Sequence, residues 1–185
     1  MKNKLLGVPL ALAFLLASCV QSLHPLFTEK DCIFDQALVG TWLEPDSKDM
    51  WIFMRSGDKA YELIYLEKGN PAKFQVHLGK LGNALFLDLY PHMPETSNDL
   101  QKGHLLAVHT ISRVWIKDDT LQLVMLDHAW LKKMLDRDSF VIKHERVGDQ
   151  IVLTASTEEF QKFVRRYADD PEAFPQRTAG LIRQK

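Results

Sequence analysis

The side chain with the clearest chemical assignment is the thiol of Cys19. It closes the run Leu16-Ala17-Ser18-Cys19, which follows two lysines near the start and an apolar stretch at residues 5–16. A basic start, an apolar middle and small residues before a cysteine are typical of a lipoprotein signal peptide, which is cut just before the cysteine. The alternative is an uncleaved membrane anchor, but the stretch falls short of the ~20 residues that span a bilayer. We therefore expect residues 1–18 to be removed and Cys19 to carry lipid through a thioether.

Lipid on Cys19 would place the chain permanently at a membrane surface. One acyl chain binds a bilayer reversibly, whereas the two or three chains of a modified bacterial cysteine, at ~0.8 kcal/mol per buried methylene, hold a protein there. Val20 follows the cysteine. By resemblance to sorted lipoproteins, in which Asp at that position marks inner-membrane retention, a host with two membranes would send the chain to the periplasmic face of its outer membrane. The expected location is the bacterial cell envelope, with the membrane as a partner through Cys19.

The remaining reactive side chains do not form a catalytic or metal-binding pattern. His104 and His109 are five positions apart, which in a strand sends them to opposite faces, and no His-x-x-x-His motif or cysteine pair is present. Asp127 precedes His128, and we expect it to cap a helix rather than form half of a catalytic arrangement. A Gly-x-Ser-x-Gly hydrolase signature is also missing. The sequence therefore predicts no catalytic residue, no metal, no cofactor and a non-enzymatic function.

Cys32 is the second cysteine of the chain, and a thioether at Cys19 would leave it without an intrachain disulfide partner. We expect it to be a small buried hydrophobic residue, and the alternative is a disulfide between two chains. Asp31 and Asp35 do not supply the basic surroundings of a reactive thiol.

Tyr61 and Tyr65 are the candidate ligand-lining residues. Their spacing places them on one face of a predicted strand. If that face points inward, each tyrosine offers a ring and a hydroxyl to an amphipathic ligand, and if it points outward, both lie at the surface. Packing in the core is the simpler role for both side chains.

Length and charge predict one domain without a nucleic-acid partner. The chain has 185 residues, with 23 Lys and Arg against 24 Asp and Glu. Loss of Lys2 and Lys4 with the signal peptide makes the remainder slightly more acidic, and no Lys/Arg cluster offers a footprint for phosphates. The remaining length suffices for one domain and is too short for two ordinary ones.

Short strands separated by turn residues predict an antiparallel barrel or sandwich. The segment from Phe74 to Leu78 alternates apolar and polar residues and so has one solvated face, whereas residues 84–90 are apolar on both faces and need a cover. Turn residues between the strands tolerate the positive φ of tight hairpins. The predicted strands are 38–44, 50–55, 60–67, 72–81, 84–90, 104–117, 120–126, 141–146 and 150–154.

Two short helices are predicted as the covering elements. Asp127 would cap the first, and Ser156 with Glu159 has the spacing of a capping box at the start of the second. Around them we predict a lipidated tether at residues 19–33, a single domain at 34–174 and a disordered tail at 175–185. Residues 91–102 are expected to form a long mobile loop.

The segment Phe34-Asp35-Gln36-Ala37-Leu38-Val39-Gly40-Thr41-Trp42 resembles the opening of a lipocalin. In that family a Gly-x-Trp motif begins the first barrel strand, so the resemblance implies that Trp42 plugs the barrel floor and Gly40 permits a close backbone approach. It also implies an arginine over the tryptophan, for which Arg146 and Arg113 are the candidates, although the family's Thr-Asp-Tyr motif is absent. The predicted fold class is mainly β, an antiparallel up-and-down, lipocalin-like barrel of about eight to nine strands with two short helices.

A wider resemblance covers His24-Pro25-Leu26, residues 85–90 and residues 153–157, which are similar to a family of uncharacterised bacterial lipoproteins. It implies no activity. The lipocalin-like barrel implies a small apolar or amphipathic ligand held inside the barrel at the cell envelope. The alternative is a non-enzymatic interaction module with a filled barrel that binds a protein partner through an outer face. The volume and lining of the barrel interior discriminate between the two hypotheses.

Overall fold

The computed structural model describes residues 19–45, 47–93, 98–175 and 180–185, so the predicted signal peptide lies outside the described residues. The strands are β1 (Gln21–Ser22), β2 (Cys32–Ile33), β3 (Gly40–Leu43), β4 (Met50–Arg55), β5 (Ala60–Glu67), β6 (Asn70–Leu81), β7 (Ala84–Pro91), β8 (His109–Lys117), β9 (Thr120–Met125), β10 (His144–Val147), β11 (Gln150–Leu153) and β12 (Leu181–Arg183). The helices are α1 (Asp99–Lys102), α2 (His128–Arg137) and α3 (Thr157–Tyr167), and Gln36–Leu38 form a 3-10 turn.

Eight strands form a closed antiparallel barrel. Each strand from β3 to β9 pairs with the next along the chain, and β12 pairs with both β3 and β9 to close the ring. Closure removes the open edges that an unclosed sheet would present to solvent. The predicted mainly β, lipocalin-like barrel is confirmed.

Three strands outside the ring form what we call the side sheet, made of β1, β11 and β10. β1 pairs antiparallel with β8 and parallel with β11, and β11 forms a hairpin with β10. The predicted strands at 141–146 and 150–154 therefore exist as β10 and β11 with shifted bounds, but they lie outside the barrel. The eighth barrel strand comes from β12 instead.

The apolar side chains form two cores, one inside the barrel and one outside it. The inner core comprises Leu38, Trp42, Phe53, Tyr61, Leu63, Val76, Leu78, Leu87, Leu89, Val114 and Leu121. The outer core lies between the barrel wall, α2, α3 and the N-terminal segment. β7 serves both cores, because Leu87 faces the inside while Phe86 faces out and meets the ring of Phe174 at 5.4 Å between centroids. The predicted cover over residues 84–90 is confirmed.

Both predicted helices form with the expected caps. The Asp127 side chain accepts a hydrogen bond from the Trp130 amide at 2.7 Å, and Ser156 and Glu159 make a complete capping box at the start of α3. Their apolar faces contribute Trp130, Leu131, Phe160 and Phe163 to the outer core. Cys32 is buried in the same core, as expected.

Both chain ends differ from the predictions. The predicted tether at 19–33 is packed onto the domain, because Val20, Leu26 and Phe27 are buried and β1 and β2 join the sheet. The predicted disordered tail contains β12. The predicted loop at 91–102 contains α1, and the strand predicted from residue 104 starts only at His109. Within the described ranges, every helix is too short or too polar to cross a bilayer.

Candidate functional site

Trp42 and Arg183 close one end of the barrel, which we call the floor. The Arg183 guanidinium carbon lies 4.1 Å from the centroid of the buried Trp42 ring, in the geometry of a cation–π contact. Arg183 also donates to the carbonyl oxygens of Val39 at 2.8 Å and Ala37 at 2.5 Å, and the Trp42 indole donates to Leu38 O at 2.9 Å. These contacts fasten the 3-10 turn under the barrel.

Gly40 leaves room for the Arg183 side chain at the floor. It has a φ of +139°, and a Cβ atom there would lie 2.6 Å from Nη1 of Arg183. The arginine candidates named from the sequence are wrong. Arg113 lies on the outer wall over Trp115, and Arg146 pairs with Asp136 of α2.

Tyr61 points inward, but its position is that of a structural residue. It is fully buried, its hydroxyl accepts a hydrogen bond from Asp35 N at 2.6 Å, and it donates to Asp35 O at 3.1 Å. Its ring stacks on Phe34 with 5.1 Å between centroids. Tyr61 therefore ties the turn before β3 to the barrel, and its polar group is already satisfied.

Tyr65 lies four residues along β5 from Tyr61, beside the partly buried Trp51, with 4.6 Å between ring centroids. The two residues are cross-strand partners in the β4–β5 register. Burial raises the pKa of the Tyr65 hydroxyl to about 12, and the nearby carboxylates of Asp49 and Glu67 act in the same direction. The Tyr65 hydroxyl therefore keeps its proton to a higher pH than a tyrosine in water does, and its ring lies beside that of Trp51.

The raised pKa of Tyr65 predicts that stability falls at high pH. In the unfolded chain the hydroxyl ionises near its ordinary pKa of 10.0, whereas in the fold it keeps its proton until about 12. Between these values the unfolded state has lost a proton that the fold retains, so stability is complete below pH 10 and declines towards pH 12. Urea unfolding at about pH 9 and about pH 11.5 should reveal this decline. Tyr65→Phe should reduce the decline without abolishing it, because burial also raises the pKa of Tyr61, and an unchanged slope in that variant would contradict the assignment.

A polar pair lies outside the barrel beneath the N-terminal segment. Asp88, 1% exposed, accepts a hydrogen bond from the Leu26 amide at 2.6 Å through Oδ2, and its Oδ1 lies 2.7 Å from Nδ1 of His109. The His109 ring also contacts Tyr90 with 4.5 Å between centroids. Sequence analysis missed this pair, because residues 88 and 109 meet only through the pairing of β7 with β8.

A surface groove of about 430 Å³ lies between residues 139–143 and α3. Its apolar lining consists of Phe140, Val141, Ile142, Phe163 and Tyr167. Phe140 is 93% exposed, which is unusual for a phenylalanine. The polar lining consists of Ser139, Lys143, Glu159, Lys162 and Arg166.

The groove has a cationic rim. Lys143 pairs with Glu159 at 2.9 Å and Lys162 pairs with Glu158 at 2.7 Å, whereas Arg166 lies over the Tyr167 ring. The hydrogen bond from Lys143, together with those from Ser156, lowers the pKa of Glu159 to about 2. The groove therefore combines an apolar lining with exposed ion pairs at its edge.

Cys19 is exposed at the edge of the domain, with its Sγ 3.2 Å from Sδ of Met125. The next residue, Val20, is buried in the outer core. An acyl group on Cys19 would therefore start directly at the domain surface. Within the described ranges, no three His, Cys, Asp or Glu side chains are grouped to hold a metal ion.

The fold and these contacts define a class: an eight-stranded antiparallel barrel with a side sheet and a helical outer layer. Comparison with protein-family models, with curated proteins and with solved structures finds no match to the chain. The function must therefore be argued from the residues and their geometry.

Proposed function

We propose that the chain is a non-enzymatic, lipid-anchored interaction module of the bacterial cell envelope, with the barrel as scaffold and the groove beside Phe140 as the binding surface. The observation that carries this proposal is the filled barrel. Trp42, Tyr61 and Leu63 are each 0% exposed, and they pack against further interior side chains from the barrel strands. Interiors packed in this way hold their own side chains rather than a guest molecule.

The same packing weighs against a small ligand held in the barrel. A ligand pocket needs a concave space of several hundred Å³ with a few placed polar groups. The Tyr61 hydroxyl, which could have served a ligand, is bonded to Asp35 instead. Trp51 and Tyr65, which contact each other, pack against the same inner core.

The groove has the features of a protein-binding surface. Aromatic residues at a pocket often contribute much of the binding energy of an interface. Phe140 is 93% exposed, and Phe163 and Val141 line the groove beside it. The surrounding charges can fix the orientation of a partner segment. Membrane anchoring rests on the sequence pattern before Cys19 and is supported by the position of this residue at the domain surface.

Site-specific photo-cross-linking in the cells of the host tests the proposal. Phe140→p-benzoylphenylalanine should give a discrete adduct of higher mass, because the probe projects from the groove. Met54→p-benzoylphenylalanine is the matched control, since this partly exposed residue lies on β4, across the barrel from β8. Equal adducts at both positions would contradict the groove as the binding surface.

Two mass measurements on the purified protein test the remaining parts of the proposal. Intact mass should show an acyl-modified Cys19 as the first residue. Native mass spectrometry should show the protein without a stoichiometric small molecule. A co-purifying apolar ligand at a ratio near one would favour the ligand-binding barrel instead.

A further inference from the structure

One face of the side sheet is open to solvent and surrounds Cys19. Burial alternates along the N-terminal segment: Val20 and Ser22 are buried, whereas Cys19 and Leu23 are exposed. The same alternation continues in β11. Ile151 is buried, whereas Gln150 is exposed and Val152 is only partly buried. The buried members face the outer core, so the others form the opposite face of the sheet.

The strand register places these outward residues side by side. Gln21 is paired with Val152, Val152 with Glu145, and Gln150 with Val147. Residues paired across strands share one face of a sheet. The open face, as we call it, consists of Cys19, Gln21, Leu23, Glu145, Val147, Gln150 and Val152.

The open face exposes apolar side chains and carries little charge. Val147 is 64% exposed and Leu23 is 38% exposed, and Met125, 36% exposed, adjoins Cys19 at the edge of the face. Glu145 is its single side chain with a formal charge. The apolar members of the face gain free energy when they leave water for an apolar surface, and its polar members are Gln21, Glu145 and Gln150.

Cys19 is joined to the folded domain without a flexible linker. Val20 is buried, and β1 is hydrogen-bonded on both sides, to β8 and to β11. The Leu23 amide donates to Leu153 O at 2.9 Å and the Leu26 amide donates to Asp88. One residue of trans chain reaches ~3.8 Å, so an acylated Cys19 keeps the neighbouring side chains within a few ångströms of the lipid.

We propose that the open face of the side sheet is a membrane-contact surface and that the domain lies with this face against the bilayer. This inference rests on the proposed lipid anchor at Cys19. Leu23, Val147 and Met125 enter the interfacial region of the lipid, while the groove beside Phe140, at the other end of β10, stays accessible. Because the face is nearly uncharged, its contact depends on apolar burial and is insensitive to salt.

Fluorescence quenching on vesicles tests this orientation. The lipidated protein is reconstituted into phosphatidylcholine vesicles that contain a lipid with a quencher on its upper acyl chain. A thiol-reactive bimane is attached at Val147→Cys or, as the control, at Met54→Cys on β4. Cys32 is buried and burial raises the pKa of its thiol, so it resists labelling, and acylated Cys19 has no free thiol.

We expect quenching at residue 147 to be at least ~5-fold stronger than at residue 54, and unchanged when the salt concentration is raised. A second label, Glu145→Cys, lies on the same face and should repeat the result if the first variant folds poorly. Equal quenching on both sides of the barrel, or protection of residue 147 by a bound protein, would overturn the inference. Intact mass separates this failure from that of the anchor itself, because an unmodified Cys19 contradicts the proposed function and a modified one leaves it standing.

Discussion

Deletion of residues 176–185 is expected to destabilise the domain by about 4 kcal/mol or more, which is close to unfolding for a domain of ordinary stability. The deletion removes β12, so β3 and β9 lose their shared partner and the barrel opens. It also removes Arg183, whose guanidinium covers the Trp42 ring and binds Val39 O and Ala37 O. Urea unfolding followed by tryptophan fluorescence measures the loss, because Trp42 lies at the broken floor.

A matched control keeps β12 and changes only its outward side chain. Ile182 is 47% exposed on the outer side of the strand, so Ile182→Thr should leave the unfolding midpoint almost unchanged. A truncated protein with the stability and fluorescence of the full chain would show that β12 does not close the barrel.

The second large effect is expected for Asp88→Ala, which should cost about 3 kcal/mol. The substitution leaves the Leu26 amide without its acceptor at 2.6 Å and His109 without its carboxylate at 2.7 Å, both beneath the outer core. The N-terminal segment is then held by β1, β2, the packing of Phe27 and the hydrogen bonds that Thr157 and Gln161 donate to its backbone. Hydrogen exchange should report faster exchange of the amides of residues 20–33 than in the parent protein.

Asp58→Ala provides the comparison for this prediction. Asp58 is also an aspartate, but its side chain is fully exposed and its contact with Arg55 is 3.9 Å long. We expect no measurable loss of stability for this variant. If Asp88→Ala behaved in the same way, the buried pair would not be what fixes the N-terminal segment.

The central strands were predictable because local signals agreed. β4 and β5 have the predicted bounds, 50–55 and 60–67. A turn with positive φ at Gly57 separates them, and both strands are rich in apolar and aromatic residues. Both helices were located in the same way, because capping side chains and apolar spacing mark a helix within one local window.

The chain ends were not predictable, because their strands have no local signal. β1 has two residues and β12 has three, too few for a periodic pattern. Each segment becomes a strand only by pairing with strands that are distant in the sequence. β12 pairs with β3 and β9, and β1 pairs with β8 and β11. Composition alone suggested a tether and a disordered tail, whereas long-range pairing decides both segments.

The candidate site was predictable in part for the same reason. The Gly-x-Trp motif drew attention to Gly40 and Trp42 because this pattern is local, and the structure places both residues beside Arg183. Arg183 lies 141 positions after Trp42 in the chain, and nothing local links the two residues. The groove joins residues 139–143 to α3, and the Asp88–His109 pair joins two strands, so both depend on tertiary contacts.

The position of β12 near the end of the chain also governs when this barrel can form. A ribosome delivers residues in order, so the seven preceding barrel strands are complete before the segment that joins the first of them to the last. Until then β3 and β9 are the unpaired edge strands of an open sheet, and Trp42 lacks its contact with Arg183. The barrel therefore closes only after the segment that carries β12 has been added to the chain.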